Sequence, residues 1–182
     1  TRELALNLPV HDPTLWIAQA PLLERMLRFL TGDRWTLNFR ARPTVIGLPA
    51  PEPDELPLFQ PTCVSLFSGG LDSFIGAIDL LVAGQRPIFV SHWYDSVTTS
   101  HQTECATQLA KRFGDTAFAQ LRAHTGFRVD TVDEGETENT LRARSFLFFA
   151  LAAAVADAIG GNHTIYVPEN GLISLNVPLD PL

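Results

Sequence analysis

Residues 65–74 read SLFSGGLDSF, a short apolar run that breaks into two serines, two glycines and an aspartate before a second apolar run begins. Residues 63–67 are strand-like, and residues 73–82 carry Phe74, Ile75, Ile78, Leu81 and Val82 at helical spacing. A strand that turns through glycines directly into a helix is the building block of a parallel α/β sheet. The glycines let the chain turn sharply and let another group approach the backbone. The first turn of such a helix carries unpaired N–H groups and partial positive charge, and a phosphate accepts hydrogen bonds there. A tight turn with a serine cap would use the same residues, so the stretch alone leaves both readings open.

The flanking sequence sets the context. Gly84 ends the first helix and residues 87–91 form a second short strand. A helix over 98–113 stops at Gly114, and a short helix is predicted over 117–123. Residues 128–132 read as a third strand. Asn139 caps a long helix running to about Ile159, ended by Gly160 and Gly161, and residues 164–167 read as a fourth strand. This alternation predicts an α/β fold, a parallel sheet with helices on both faces. Ligands of such sheets bind outside the carboxyl ends of the strands. That rule selects 68–73, 91–96, 133–139 and 168–176. The helix over 140–159 is apolar nearly all round between Phe146 and Ala156, which predicts burial against the sheet and against something else besides.

The first 60 residues differ. Leu15, Ala18, Leu22, Met26, Phe29 and Leu30 recur at helical spacing, with Thr14 or Asp12 as cap and Gly32 as stop. Residues 35–40 alternate with Trp35, Leu37 and Phe39 on one side, as a half-buried strand does. Prolines 43, 49, 51, 53, 57 and 61 then mark a stiff linker or arm. A small α+β subdomain over 1–60 is therefore predicted ahead of an α/β domain over 61–182, read as a fragment because it ends just after the fourth strand.

The 182 residues are 46% hydrophobic and 18% charged, enough for one sizeable core. The formal net charge is −7 and no basic run is visible, so extended nucleic-acid binding is not expected. Cys63 and Cys105 lie far apart in no zinc-like spacing, which predicts reduced thiols in a cytoplasmic protein. The longest apolar stretch, 146–156, is too short to span a bilayer, so no membrane partner is expected.

SGGLDS has neither the G-K-[ST] lysine of a Walker A loop nor the G-x-G-x-x-G pattern. It resembles the SGGxDS signature of the PP-loop ATP pyrophosphatases, which adenylate a substrate oxygen with ATP and release pyrophosphate. ENTLRARSFLFFALAAAVA over 138–156 resembles the arginine-led, alanine-rich helix of the 7-cyano-7-deazaguanine synthases. VPENGLISLNVPL over 167–179 and FLTGDRWTLNF over 29–39 look like the QueC-like subunits of bacterial Qat anti-phage systems. The resemblance covers most of the chain, best over 62–179. It implies an adenine nucleotide alpha hydrolase-like, Rossmann-like fold, ATP and Mg²⁺ as ligands, and partner subunits of a defence system. The biosynthetic enzymes carry a four-cysteine zinc site near their C-terminus, and no such cluster occurs in this chain.

Carried onto this sequence, the resemblance implies that Ser68, Gly69, Gly70, Leu71, Asp72 and Ser73 hold the ATP pyrophosphate, with Asp72 also a candidate Mg²⁺ ligand. Asp72, Ser73 and Arg144 are the candidate catalytic residues. Arg142 and Arg144 stand near a helix start, where cations oppose the helix dipole, so a phosphate or the acidic segment 130–138 should compensate them. Ser91, His92 and Trp93 fall near the expected adenine and ribose, although Trp93 and Tyr94 would equally close the core at the sheet's end. Glu169 and Asn170 follow the fourth strand and could face substrate or shape a Pro-Glu-Asn-Gly turn. Two alternatives stay open: a non-catalytic nucleotide-binding subunit of a defence complex, and a PP-loop tRNA-modifying enzyme.

Overall fold

The computed structural model describes residues 1–43, 59–93, 96–125, 142–160 and 162–169, with the side chains of 142–144 outside that description. The chain divides into two compact units; among the described residues the first holds 1–43 together with 142–143, and the second holds the rest.

The first unit is a β-α-β element. Strand β1 (Glu3–Val10) leads into helix α1 (Pro13–Thr31), which returns to strand β2 (Arg34–Ala41). β1 and β2 pair in parallel from Glu3↔Arg34 to Val10↔Ala41. Of the two expected caps Asp12 is the one used: its Oδ1 accepts the Leu15 N–H at 3.1 Å. Gly32 at φ 76° ends the helix, and its N–H is donated to the Arg28 carbonyl. Trp16 stacks on Phe39 with ring centroids 5.8 Å apart, and Trp35 Nε1 donates to Thr31 Oγ1 at 2.9 Å. Two expectations are corrected. The unit begins with a strand, β1, ahead of the helix. The predicted apolar face of α1 is covered only in part: Met26 and Leu30 are partly covered, together with Leu23 and Leu27, while Leu15, Ala18, Leu22 and Phe29 are exposed. α1 carries apolar residues on nearly every side, so period alone did not select the face that meets the sheet.

The second unit holds a four-stranded parallel sheet in the order β5-β4-β3-β6. Its strands are β3 (Cys63–Leu66), β4 (Pro87–Trp93), β5 (Ala119–His124) and β6 (Thr164–Tyr166), connected through α2 (Leu71–Val82), α3 (Ser96–Phe113) and α4 (Arg142–Ala158). Phe67 and Phe89 meet Ala77 and Leu81 of α2 and Leu109 of α3 on one face. Val64 and Val90 meet Ala152 of α4 on the other. Alternate residues of β3 and β4 thus feed opposite layers, which is why these two central strands are mostly apolar on both faces. Each fully buried large apolar side chain here contributes roughly 1.5–3 kcal/mol. The α/β expectation holds: a parallel sheet with helices on both faces, compatible with a Rossmann-like fold.

Three expectations in this unit change. Residues 117–123 are not helical, because Ala119–His124 pairs with β4 from Ile88↔Ala119 to Trp93↔His124. Ala, Gln, Leu and Arg favour helix locally, and the sheet ladder overrides that preference. The second strand extends past Ser91 to Trp93, so His92 and Trp93 belong to the strand. α4 buries one stripe only: Leu151, Ala152, Val155, Ala156 and Ile159 pack on the sheet, while Phe149 remains 46% exposed. The strand expected at 128–132, the cap at Asn139 and the segment 133–139 lie outside the described residues. Among the described residues no helix is long and apolar enough to cross a membrane.

Candidate functional site

The strand order identifies the edge at which a ligand would be expected. β3 connects through α2 to β4 and onward to β5 on one side. The chain then crosses to the other face through α4 and lays β6 against the opposite side of β3. The direction of winding therefore reverses between β3 and β6. In open parallel sheets the ligand crevice lies at the carboxyl ends of the strands flanking that reversal. Two segments converge there: 68–73 after β3 and 167–169 after β6.

The loop after β3 is fastened from within. Ser73 is buried, and its hydroxyl donates to the Gly70 carbonyl at 2.8 Å. The same oxygen accepts from the Gly69 N–H at 3.2 Å and from the Ser68 hydroxyl at 3.2 Å. Ser68 Oγ in turn accepts the Gly70 N–H at 3.3 Å. Ser73 thus holds the shape of the loop, while Ser68 and Gly70 stand exposed at its rim. Leu71 and Asp72 open the first turn of α2.

The two glycines differ in kind. Gly69 sits at φ 82°, and a Cβ there would lie 2.8 Å from the Gln102 backbone nitrogen. The fold itself demands glycine at 69. Gly70 has φ −84° and ψ 170°, open to any residue, and a Cβ would meet only Ser68 Oγ at 3.5 Å. Gly70 is the N-cap of α2 and contributes no side-chain cap hydrogen bond. A glycine that neither backbone strain nor packing requires leaves space at a helix start whose N–H groups have no intrahelical acceptor. That space suits an anion.

On the β6 side Pro168 packs so closely on Gly76 that a Cβ there would lie 2.7 Å from the proline ring. Asp72, Asp79 and Glu169 line a small cleft of about 220 Å³ with Ile75, Gly76 and Pro168. The fold thus brings Asp72 and Glu169 together, as their places at one sheet edge implied. Among the described residues no group of three or more His, Cys, Asp or Glu side chains is arranged to hold a metal. An Mg²⁺ at Asp72 would have to share its coordination with phosphate oxygens.

Ser91, His92 and Trp93 do three different things. Ser91 is buried and donates to the Phe67 carbonyl at 2.6 Å, tying β4 to the root of the loop. His92 Nε2 lies 3.1 Å from the Thr125 carbonyl oxygen. Trp93 stacks on His124 at 4.3 Å between centroids, closing the ends of β4 and β5. Arg144 falls in the first turn of α4, but its side chain and that of Arg142 lie outside the described residues, as does Asn170.

Sequence reasoning missed Gln102 and Cys105. Gln102 is fully buried and donates from Nε2 to the His92 carbonyl at 3.0 Å, while its backbone abuts Gly69. Its Oε1 is buried with no partner among the described residues. Cys105 Sγ donates to the Gly69 carbonyl at 3.6 Å. Gln102 and Cys105 share the covered stripe of α3 with Leu109, and a polar residue on such a stripe was the available signal. Burial pushes the Cys105 thiol up, with the Glu104 carboxylate adding to it, and burial does the same to Cys63. Thiols held protonated are poor nucleophiles. Compared with protein-family models, curated proteins and solved structures, the chain finds a match in none of the three.

Proposed function

We propose that this chain binds ATP at the loop 68–73 and adenylates a substrate oxygen, releasing pyrophosphate, as the PP-loop resemblance implies. The supporting observation is Gly70, a glycine that the fold does not require, placed as an uncapped helix start at the reversal of the sheet. The helix N–H groups and its dipole would hold the leaving pyrophosphate. The exposed Ser68 hydroxyl would turn outward to the same phosphates, and Ser73 would keep the loop in shape. The substrate oxygen forms a bond to the α-phosphorus while the bond from that phosphorus to the β-bridging oxygen breaks, and pyrophosphate leaves. No side chain need act as nucleophile, so the protein contributes position and charge stabilisation. Bound Mg²⁺ would spread the phosphate charge, with Asp72 at hand as a ligand. Arg144, at the start of α4, is the candidate for stabilising the charge that develops. The setting would be anti-phage defence or 7-deazaguanine-type chemistry, with partner subunits.

Titration calorimetry with a non-hydrolysable ATP analogue and Mg²⁺, followed by a pyrophosphate-release assay with ATP and candidate substrates, tests this. Analogue binding that Asp72→Asn weakens, together with pyrophosphate release, is the expected result. Binding without turnover would leave a nucleotide-binding subunit. Cleavage of ATP to ADP and phosphate would rule out adenylation.

A further inference from the structure

The stripe of α3 that faces the sheet changes character along its length. Leu109 and Phe113 pack into the apolar layer with Phe67 and Phe89, and Cys105 stands at the border of that layer. Nearer the carboxyl ends of the strands the stripe carries Gln102, which is fully buried. A residue kept only to fill that space would be apolar. An amide buried there with Oε1 unpartnered among the described residues costs free energy that methionine or leucine would not. Turning the amide round does not help. Nε2 donates to the His92 carbonyl at 3.0 Å, and only the nitrogen can do so. Oε1 is therefore fixed beside the end of β4.

The same residue meets the loop after β3. A Cβ on Gly69 would lie 2.8 Å from the Gln102 nitrogen and 3.1 Å from its Cα and Cγ, so α3 closes directly over the loop at this point. Cys105 Sγ donates to the Gly69 carbonyl at 3.6 Å. Gly69 is where the loop passes through φ 82°. Its own N–H donates to Ser73 Oγ at 3.2 Å, and Ser91 holds the Phe67 carbonyl two residues earlier. The loop is thus held at its root by β4, from within by Ser73 and at its bend by α3. Gln102 joins the first and the last of these holds, because its side chain ties α3 to β4.

We propose, resting on the reading of loop 68–73 as a phosphate site, that Gln102 is a positioning residue for that loop. Tied to β4 through its amide, it fixes α3 over Gly69 and so keeps Gly70 and the first turn of α2 in the shape that receives a phosphate. No atom of Gln102 need touch the ligand. A loop already in shape binds more tightly because less order is imposed on binding.

Gln102→Met keeps the length of the side chain and removes both the tie to His92 and the unpartnered oxygen. Amide hydrogen exchange in the free protein, followed by NMR, should quicken about tenfold or more at Gly69 and stay unchanged at Leu80 and Leu81, late in α2. The denaturant midpoint should hold level, because the lost hydrogen bond and the lost orphan acceptor offset each other. Affinity for a non-hydrolysable ATP analogue with Mg²⁺ should fall about tenfold, roughly 1.4 kcal/mol. Cys105→Ala should move exchange and affinity the same way by a smaller factor, and Cys105→Ser, which keeps a donor, should restore both. Gln102→Asn, whose amide falls short of the His92 carbonyl, carries the same expectations and stands in if Gln102→Met does not fold. Unchanged exchange at Gly69, or exchange that quickens equally at Leu80 and Leu81, would make Gln102 an ordinary core residue and overturn the proposal. Quickened exchange with unchanged affinity would overturn it as well. A wild type that does not bind the analogue would instead defeat the ATP reading, and the exchange comparison, made without ligand, would still decide whether Gln102 positions the loop.

Discussion

Both units contain the same turn, a parallel strand leading into a helix, and they finish it in opposite ways. After β1 the helix start is closed by the protein's own carboxylate, Asp12, followed by Pro13, which has no N–H to offer. After β3 the helix start is capped by Gly70, which has no side chain. The first solution places negative charge where an anion would sit. The second puts no side chain at the cap itself, and its nearest carboxylate is Asp72 within the first turn. The units divide their charges in the same spirit. The first ties Asp12, Glu24 and Asp33 into hydrogen bonds of its own, whereas the second keeps Asp72, Asp79 and Glu169 around its cleft. One fold element can thus be a plain connector or, on the reading proposed above for the loop after β3, an anion cradle, and the N-cap residue would decide which.

The largest expected effect comes from making the second turn like the first. Gly70→Asp fits the backbone at φ −84° and brings no clash, since the nearest neighbour to a Cβ is Ser68 Oγ at 3.5 Å. The carboxylate would cap α2 and repel phosphate. Binding of the ATP analogue should fall about a hundredfold, roughly 2.7 kcal/mol. Thermal stability should stay level or rise by a few tenths of a kcal/mol, the difference between Asp and Gly at an N-cap. Calorimetry and a melting curve on the same sample check both. Retained affinity would sink the cradle assignment.

Gly69→Ala asks the complementary question. Its φ of 82° and the 2.8 Å approach to Gln102 mean that an added methyl strains the backbone and pushes on α3. Destabilisation of about 1–3 kcal/mol is expected, measured by denaturant unfolding. The pair of variants separates the glycine kept for the fold from the one kept open. Gly69 should cost stability first, and Gly70 should cost binding with stability intact.

That separation was not legible in SLFSGGLDSF. The sequence showed two adjacent glycines in the right context, and only the position of α3 assigns them different reasons. Legibility followed locality throughout. The loop, α2 and α3 were readable because glycines, serine and apolar spacing act within a few residues. β5 was misread because Ala119–His124 prefers helix until β4 pairs with it. β1 alternates Leu4, Leu6, Leu8 and Val10, yet it becomes a strand only through β2, thirty-one residues along. Contacts such as Ser91 to the Phe67 carbonyl, or Gln102 to the His92 carbonyl, join residues from different elements and leave no local pattern.

A smaller effect is expected where the first unit closes its own turn. Asp12→Ala removes the acceptor of the Leu15 N–H and should cost about 1 kcal/mol. The loss should fall on the first unit, which hydrogen exchange of the α1 amides would localise. The α2 amides should be unaffected.

The smallest effect tests whether the first unit depends on its acids as fasteners. Asp33 accepts from the Arg2 backbone N–H at 2.8 Å and from Arg2 Nε at 3.1 Å. The hydrogen bond from the Arg2 side chain, then that from its backbone, holds the carboxyl below its ordinary value of 3.8. A carboxyl depressed in the folded state stabilises the fold at pH above its ordinary value, and that contribution is lost as pH falls through the folded value. Arg2→Ala should therefore melt below the wild type by a constant margin at neutral pH, and the margin should close as pH falls below about 4. A margin that persists into acid would mean that Arg2 acts through packing alone. In that case the acids of this unit would not be its fasteners, and the contrast between the two units would rest on their helix starts alone.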